Sequence, residues 1–207
     1  MKPSRKVSAK EVKRCFLVSN FLTMDSKGKR KHLSKMSQAE FSRRLALSKR
    51  KVLALTEHQL EGFITDKRRL QAYNSSDWHE AVVNIEEAGV WTRAGGLPLE
   101  YTNRSLKEIA LRVQKALLLK AHLGRTRALH VIPNMLRTNV GMLQDEKYLL
   151  PILFKGGTGT RGRWRLKHQT KYDIDDGCMR SIALAASGQR KLRVYVGIPK
   201  KTKKTKN

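Results

Sequence analysis

Cysteine is almost missing from this 207-residue chain: only Cys15 and Cys178 occur, one in each half. Neither has a second cysteine or a histidine at zinc-ligand spacing, which argues against a structural zinc site. A disulfide is disfavoured in an intracellular basic protein, so both are expected to be small buried hydrophobes. Acidic residues are scarce as well, 17 against 44 Lys and Arg. No apolar run is long enough to span a bilayer, and the N-terminus lacks a signal peptide's hydrophobic stretch. The expectation is a soluble, cytoplasmic protein with no membrane partner. The six histidines are scattered, with no pair at i, i+4 spacing, and none stands near a Ser or Cys nucleophile in sequence. The glycine-rich stretch from Lys155 to Arg161 lacks the Gly-Lys-Ser/Thr ending of a phosphate-binding loop and reads as a hairpin connection. Neither a cofactor nor a metal is expected, and no catalytic group is assigned.

What the chain does have is positive charge, +27 in formal terms. Apolar residues make up 40%, enough for a folded core rather than a charged tail. Such an excess calls for a polyanion, because each phosphate neutralised by Lys or Arg releases condensed counterions. The expected partner is therefore nucleic acid.

Four segments follow from composition. Residues 1–35 form a basic arm with one helix, carrying eleven Lys and Arg against two acids and the run Lys27-Gly28-Lys29-Arg30-Lys31. Residues 36–91 are helical in pattern, residues 92–199 make an α+β domain, and residues 200–207 are a disordered basic tail. The Gly-Gly-containing loop after Trp91 marks the boundary. Ser8-x-x-Glu11, Ser37-x-x-Glu40, Thr56-x-x-Gln59 and Ser105-x-x-Glu108 fit the reciprocal cap of a helix start. Asp77 is expected to cap a further helix carrying Trp78, Val82 and Ile85. After Ser105, Leu106, Ile109, Val113, Ala116 and Leu117 form a core-facing stripe.

Beyond residue 128 the period becomes two. Trp164, Leu166, Tyr172 and Ile174 alternate with Arg163, Arg165, Lys167 and Lys171, which predicts a strand with one dry and one basic face. Asp175-Asp176-Gly177 signals a turn, Met179–Ala186 a returning strand, and Lys191–Ile198 a third with Leu192, Val194, Val196 and Ile198 on one side. The C-terminal half thus reads as a helix packed on a small antiparallel meander, and the whole as α+β. Arg163, Arg165, Lys167, Lys171, Lys191, Arg193 and Tyr195 are expected to share one contact surface.

Residues 37–52 read Ser-Gln-Ala-Glu-Phe-Ser-Arg-Arg-Leu-Ala-Leu-Ser-Lys-Arg-Lys-Val. This resembles the helix-turn-helix of the phage-repressor and small-terminase-like families over residues 37–55. Phe41, Leu45, Leu47 and Val52 take the apolar positions, with Ser42 where Ala is usual and Ala46 where Gly is usual at the turn. The resemblance implies a second helix capped by Ser48, with Lys49, Arg50 and Lys51 in the first turn of a recognition helix. Gln38, Arg43 and Arg44 would contact DNA from the first helix, and Lys29, Arg30 and Lys31 would hold phosphates. The implied protein is a non-enzymatic, sequence-reading or architectural binder of double-stranded DNA, often dimeric, acting in transcription or as an accessory factor of a mobile element, plasmid or phage.

Two other readings stay open. A ribosomal-type RNA-binding protein explains the charge, the lysine tail and the low aromatic content equally well. A metal-dependent nuclease or transposition enzyme would use Asp173, Asp175 and Asp176, although Asp-Gly is common in turns for backbone reasons alone.

Overall fold

The computed structural model describes residues 3–24, 36–91, 99–119, 143, 145–156, 158 and 170–200. The loop after Trp91, the run Lys29–Lys31, the positions Arg163, Arg165 and Lys167, and the tail beyond Lys200 lie outside the described residues.

The fold mixes α and β. In chain order the elements are β1 (Pro3–Val7), α1 (Ala9–Thr23), α2 (Gln38–Leu53), α3 (Glu57–Phe63), α4 (Lys67–Asn74), β2 (Ser76–Asn84) and β3 (Ala88–Val90). Then come β4 (Arg104–Ser105), α5 (Leu106–Leu119), β5 (Ile152–Lys155), β6 (Tyr172–Asp176), α6 (Cys178–Ala186) and β7 (Lys191–Pro199), with short 3₁₀ turns at Leu99–Tyr101 and Lys147–Leu149.

The seven strands among the described residues join one mixed sheet in the order β1-β2-β7-β5-β6-β3-β4. The nine-residue antiparallel ladder between β2 and β7 is its backbone, from Ser76 opposite Pro199 to Asn84 opposite Lys191. Strand β5 lies parallel to β7 and antiparallel to β6. Only Ile85, Glu86 and Glu87 carry the chain from β2, second in the sheet, to β3, sixth. Four strand spacings in a flat sheet come to about 19 Å, whereas four residue steps reach at most about 14 Å. The sheet must therefore coil, bringing its two ends toward each other.

Alternation along the strands separates two layers. Trp78, Phe154 and Tyr195 face α1 and α4, where Tyr73 packs edge-on to both Trp78 and Phe16. The Trp78 indole donates to the Tyr73 carbonyl at 2.8 Å, and Tyr195 Oη donates to Glu11 at 3.1 Å. A Cβ on Gly197 would sit 2.8 Å from the Trp78 ring and 3.0 Å from that of Phe154, so glycine leaves room for both rings on β7. Val83, Leu153, Ile174, Leu192 and Val194 point the other way and surround Ser181 of α6, and α5 packs on α6.

Several expectations are met. Ser8, Ser37, Thr56 and Ser105 all accept from the backbone N–H three residues on. Leu106, Ile109, Val113 and Ala116 of α5 are buried, and both cysteines are buried and free. Leu192, Val194 and Val196 share a buried side of β7 as expected.

Others are corrected. The sheet is seven-stranded and mixed rather than a three-strand antiparallel meander. Asp77 caps no helix: Ser76–Asn84 is a strand, because nine residues of ladder on β7 outweigh a local cap. Met179–Ala186 is helical, as its run of Ala, Leu and Met favours. Gly177, at φ 85°, makes the expected turn but leads into α6. The basic arm contains β1, an edge strand paired with β2. Because β2 and β7 pair, one sheet and one core cross the boundary placed after Trp91.

Candidate nucleic-acid interface

Helix α2 is held by one face. Phe41, Leu45, Ser48 and Val52, spaced four, three and four residues apart, are buried against α1. The opposite face presents Ala39, Arg43, Ala46, Leu47 and Arg50, all exposed, with Leu47 at 58%. Arg43 and Arg50, two turns apart, have no acidic partner among the described residues.

The expected break at Ala46–Ser48 is absent. Helix α2 runs unbroken from Gln38 to Leu53, and Ser48 is buried inside it rather than capping a second helix. Ala46 and Leu47 are strong helix formers, and without glycine nothing stops the turn from propagating. Lys49, Arg50 and Lys51 accordingly lie near the end of α2, where cations suit the helix dipole. The next helix is α3, started by the full Thr56–Gln59 capping box and free of Lys and Arg.

Neighbours divide the remaining predicted contacts. Gln38 opens α2 and is exposed. Arg44 donates to Glu40 at 3.0 Å and to the Met24 carbonyl. Lys49 meets Glu146 at 2.9 Å and lies over the Tyr148 ring. Lys51 is exposed, with its ammonium 4.4 Å from the centre of the Phe21 ring and 5.8 Å from that of Phe63.

The expected sheet surface is not assembled from its described members. Strand β5 separates β6, which Lys171 immediately precedes, from β7, with Arg193. Lys171 pairs with Glu87 at 2.7 Å, which raises the lysine's pKa and lowers that of the carboxyl. Arg193 donates to Glu80 at 2.7 Å, and Arg5 reaches the same carboxylate. Burial pushes the Glu80 carboxyl up, but hydrogen bonds from these two guanidinium groups outweigh it and leave it low. Tyr195 is buried, not a surface residue, and burial pushes its phenol up.

The aspartates expected at the end of β6 are structural. Asp173, placed on an outer face by alternation, is buried. Asp175 lies in the strand with a fully buried side chain, receiving Arg69 Nε at 2.9 Å and Tyr73 Oη at 3.0 Å. Burial, with the Asp175 charge beside it, holds the Tyr73 phenol well above its ordinary range. Asp176 pairs with Arg180, which also donates to Ser19 and to the Leu149 carbonyl. Among the described residues no three His, Cys, Asp or Glu side chains converge as a metal site would require.

Three surface residues escape a reading built on residues 37–52. Phe63, at the end of α3, leaves 44% of its surface open, and Lys67 and Arg68 are exposed in the first turn of α4. The Asp66 cap that starts α4 was a usable signal for the two cations. The chain matches no protein-family model, no curated protein and no solved structure.

Proposed function

We propose that this is a non-enzymatic protein that binds double-stranded DNA and lays the outward face of α2 against the duplex. The observation that carries the reading is the pair Arg43 and Arg50, exposed on one face with no acidic partner among the described residues. They belong to a chain of net charge +27 in which Glu40, Glu57, Glu61, Glu80, Glu87 and Glu146 are already engaged by cations. A 16-residue helix is about 24 Å long, and the two arginines stand about 10 Å apart along it. A major groove about 12 Å wide admits such a helix, with cations reaching the flanking phosphates. The unbroken helix changes the expected contact. Arg50 sits late in α2 instead of opening a recognition helix, so phosphate binding, not base reading, is its first role.

The test is the salt dependence of binding to a labelled random-sequence duplex. The wild-type protein should bind with a steep log–log slope, and replacing Arg43 and Arg50 together with Ala should flatten it by nearly 2, at about 0.9 per phosphate contact. Thermal stability should move by no more than about 0.5 kcal/mol per site, as at other exposed positions. An unchanged slope in the double variant removes α2 from the interface, and a wild-type slope near zero removes nucleic acid altogether.

A further inference from the structure

Where α1, α2 and α3 end together, the surface combines an open aromatic ring with unpaired cations. Helix α3 is only seven residues long and buries Leu60; its last residue, Phe63, stays 44% exposed. The Phe63 ring meets Phe21 edge-to-face, centres 5.4 Å apart at 89°. In that arrangement one ring presents an edge and the other a single face, so Phe63 keeps at least one π face that Phe21 does not use. Phe21 fixes the ring without covering it.

One cation lies at this ring, and others follow close by in the chain. Lys51 sits above the Phe21–Phe63 pair with no acidic partner among the described residues. Arg50 precedes it on α2, and Lys67 and Arg68 follow Phe63 by four and five residues. The nearby acids are occupied: Glu57 and Glu61 bind Lys13, and Asp66 accepts two backbone N–H groups at the start of α4. An exposed ring fixed by a neighbour, with the Lys51 ammonium beside it and exposed cations close by in the chain, has the chemistry of a base-stacking site, where a base lies on the aromatic face and its phosphate meets the lysine.

We infer that Phe63, with Lys51, is a stacking platform for an unpaired base of a nucleic acid strand. The inference rests on the reading of the protein as a nucleic-acid binder and adds a contact that a continuous duplex cannot make, because its bases are already stacked. Arg50 lies beside Lys51, so the platform continues the surface proposed for α2.

The experiment compares binding of labelled (dT)20, (U)20 and a 20-base-pair duplex by the wild-type protein and by Phe63→Leu and Phe63→Trp. Leucine keeps an apolar contact for Phe21 while removing the π face; a thermal melt checks that both variants fold. Phe63→Leu should weaken (dT)20 about 5- to 100-fold, the range seen when a stacking ring is lost. Duplex binding should stay within twofold, and Phe63→Trp should hold or improve the single-strand affinity. Equal losses for (dT)20 and (U)20 mean that the platform serves either sugar; a loss for one alone assigns it to that nucleic acid. Wild-type binding to duplex only, or single-strand binding untouched by Phe63→Leu, overturns the platform and leaves the duplex reading standing. No binding to any of the three probes at low salt overturns both.

Discussion

Lys13 and Asp175 are both charged side chains removed from solvent, yet their loss should have very different consequences. Lys13 is 1% exposed, but the carboxylates it binds, Glu57 and Glu61, keep 55% and 33% of their side-chain surface. Without the lysine they would hydrate where they are, and a methionine would occupy the space of the lysine stem. Lys13→Met should therefore cost little, below about 1.5 kcal/mol, with the hydrogen bonds replaced by water. Asp175 is the reverse case: its side chain has no exposure, its partner Arg69 keeps only 17%, and Tyr73 beneath it is fully buried. Asp175→Ala would strand a mostly covered guanidinium and a buried hydroxyl together, at a cost of about 3–5 kcal/mol. Urea unfolding of the two variants compares them directly. Comparable losses would mean that the exposure of the partner, rather than of the mutated residue, does not govern the cost.

At the scale of elements, legibility in the sequence followed how local the deciding interaction is. The starts of α1, α2, α3 and α5 could be read because a Ser or Thr and the residue three positions on complete the cap between themselves. The ends could not. Within residues 37–52 the missing turn glycine favours a continuous helix, but the burial of Ser48 on α1 depends on a surface more than twenty residues away. Strand β2 is hidden for a similar reason: its ladder partner β7 is more than a hundred residues distant. Helix α6 differs: the composition of Cys178–Ala186 itself favours a helix, against the alternation that suggests a meander. Of the candidate interface, the cations of α2 were visible, but which of them stay free was not, because Glu146 and Met24 engage Lys49 and Arg44 only in the folded chain. Gly177 tests the junction that the meander reading missed. Its φ of 85° is costly for any residue with a Cβ, which here would also lie 2.9 Å from the Arg180 guanidinium and 3.2 Å from the Pro151 backbone. Gly177→Ala should lose about 1–2 kcal/mol from the backbone alone, and more if Arg180 is pushed off Ser19 and Leu149. A change under 0.5 kcal/mol in thermal or urea unfolding would contradict this account of the start of α6.

Over the whole molecule, two electrostatic effects act together on acidification and can be separated by salt. The first comes from particular pairs. Glu61 is held low by hydrogen bonds from Lys13 and Asn74, Glu80 by Arg193 and Arg5 against the opposing effect of burial, and Glu87 by Lys171. A carboxyl whose folded pKa lies below its unfolded value adds stability above the unfolded value and loses it as pH falls through the folded one. These three should therefore support the fold above the ordinary value of 4.5 and progressively fail below it. The second effect is self-repulsion: as the 17 acids lose their charge and the six histidines gain one, the net charge rises from +27 toward the full complement of 44 Lys and Arg and 6 His. Both lower stability in the same pH window, but salt acts on them with opposite sign. Screening shortens from a Debye length of about 30 Å at 0.01 M to about 8 Å at 0.15 M, which weakens repulsion across the molecule and also weakens exposed pairs. Exposed pairs are worth at most about 1 kcal/mol each, whereas the excess charge acts between every pair of cations on the surface. Repulsion should prevail: at pH 4 the melting temperature should rise between 10 and 150 mM sodium chloride, and at pH 7 it should rise by less. A fall at pH 4 would show that the carboxylate pairs, not the surplus of positive charge, limit stability in acid. The +27 would then be a load the fold carries at little cost without its polyanion.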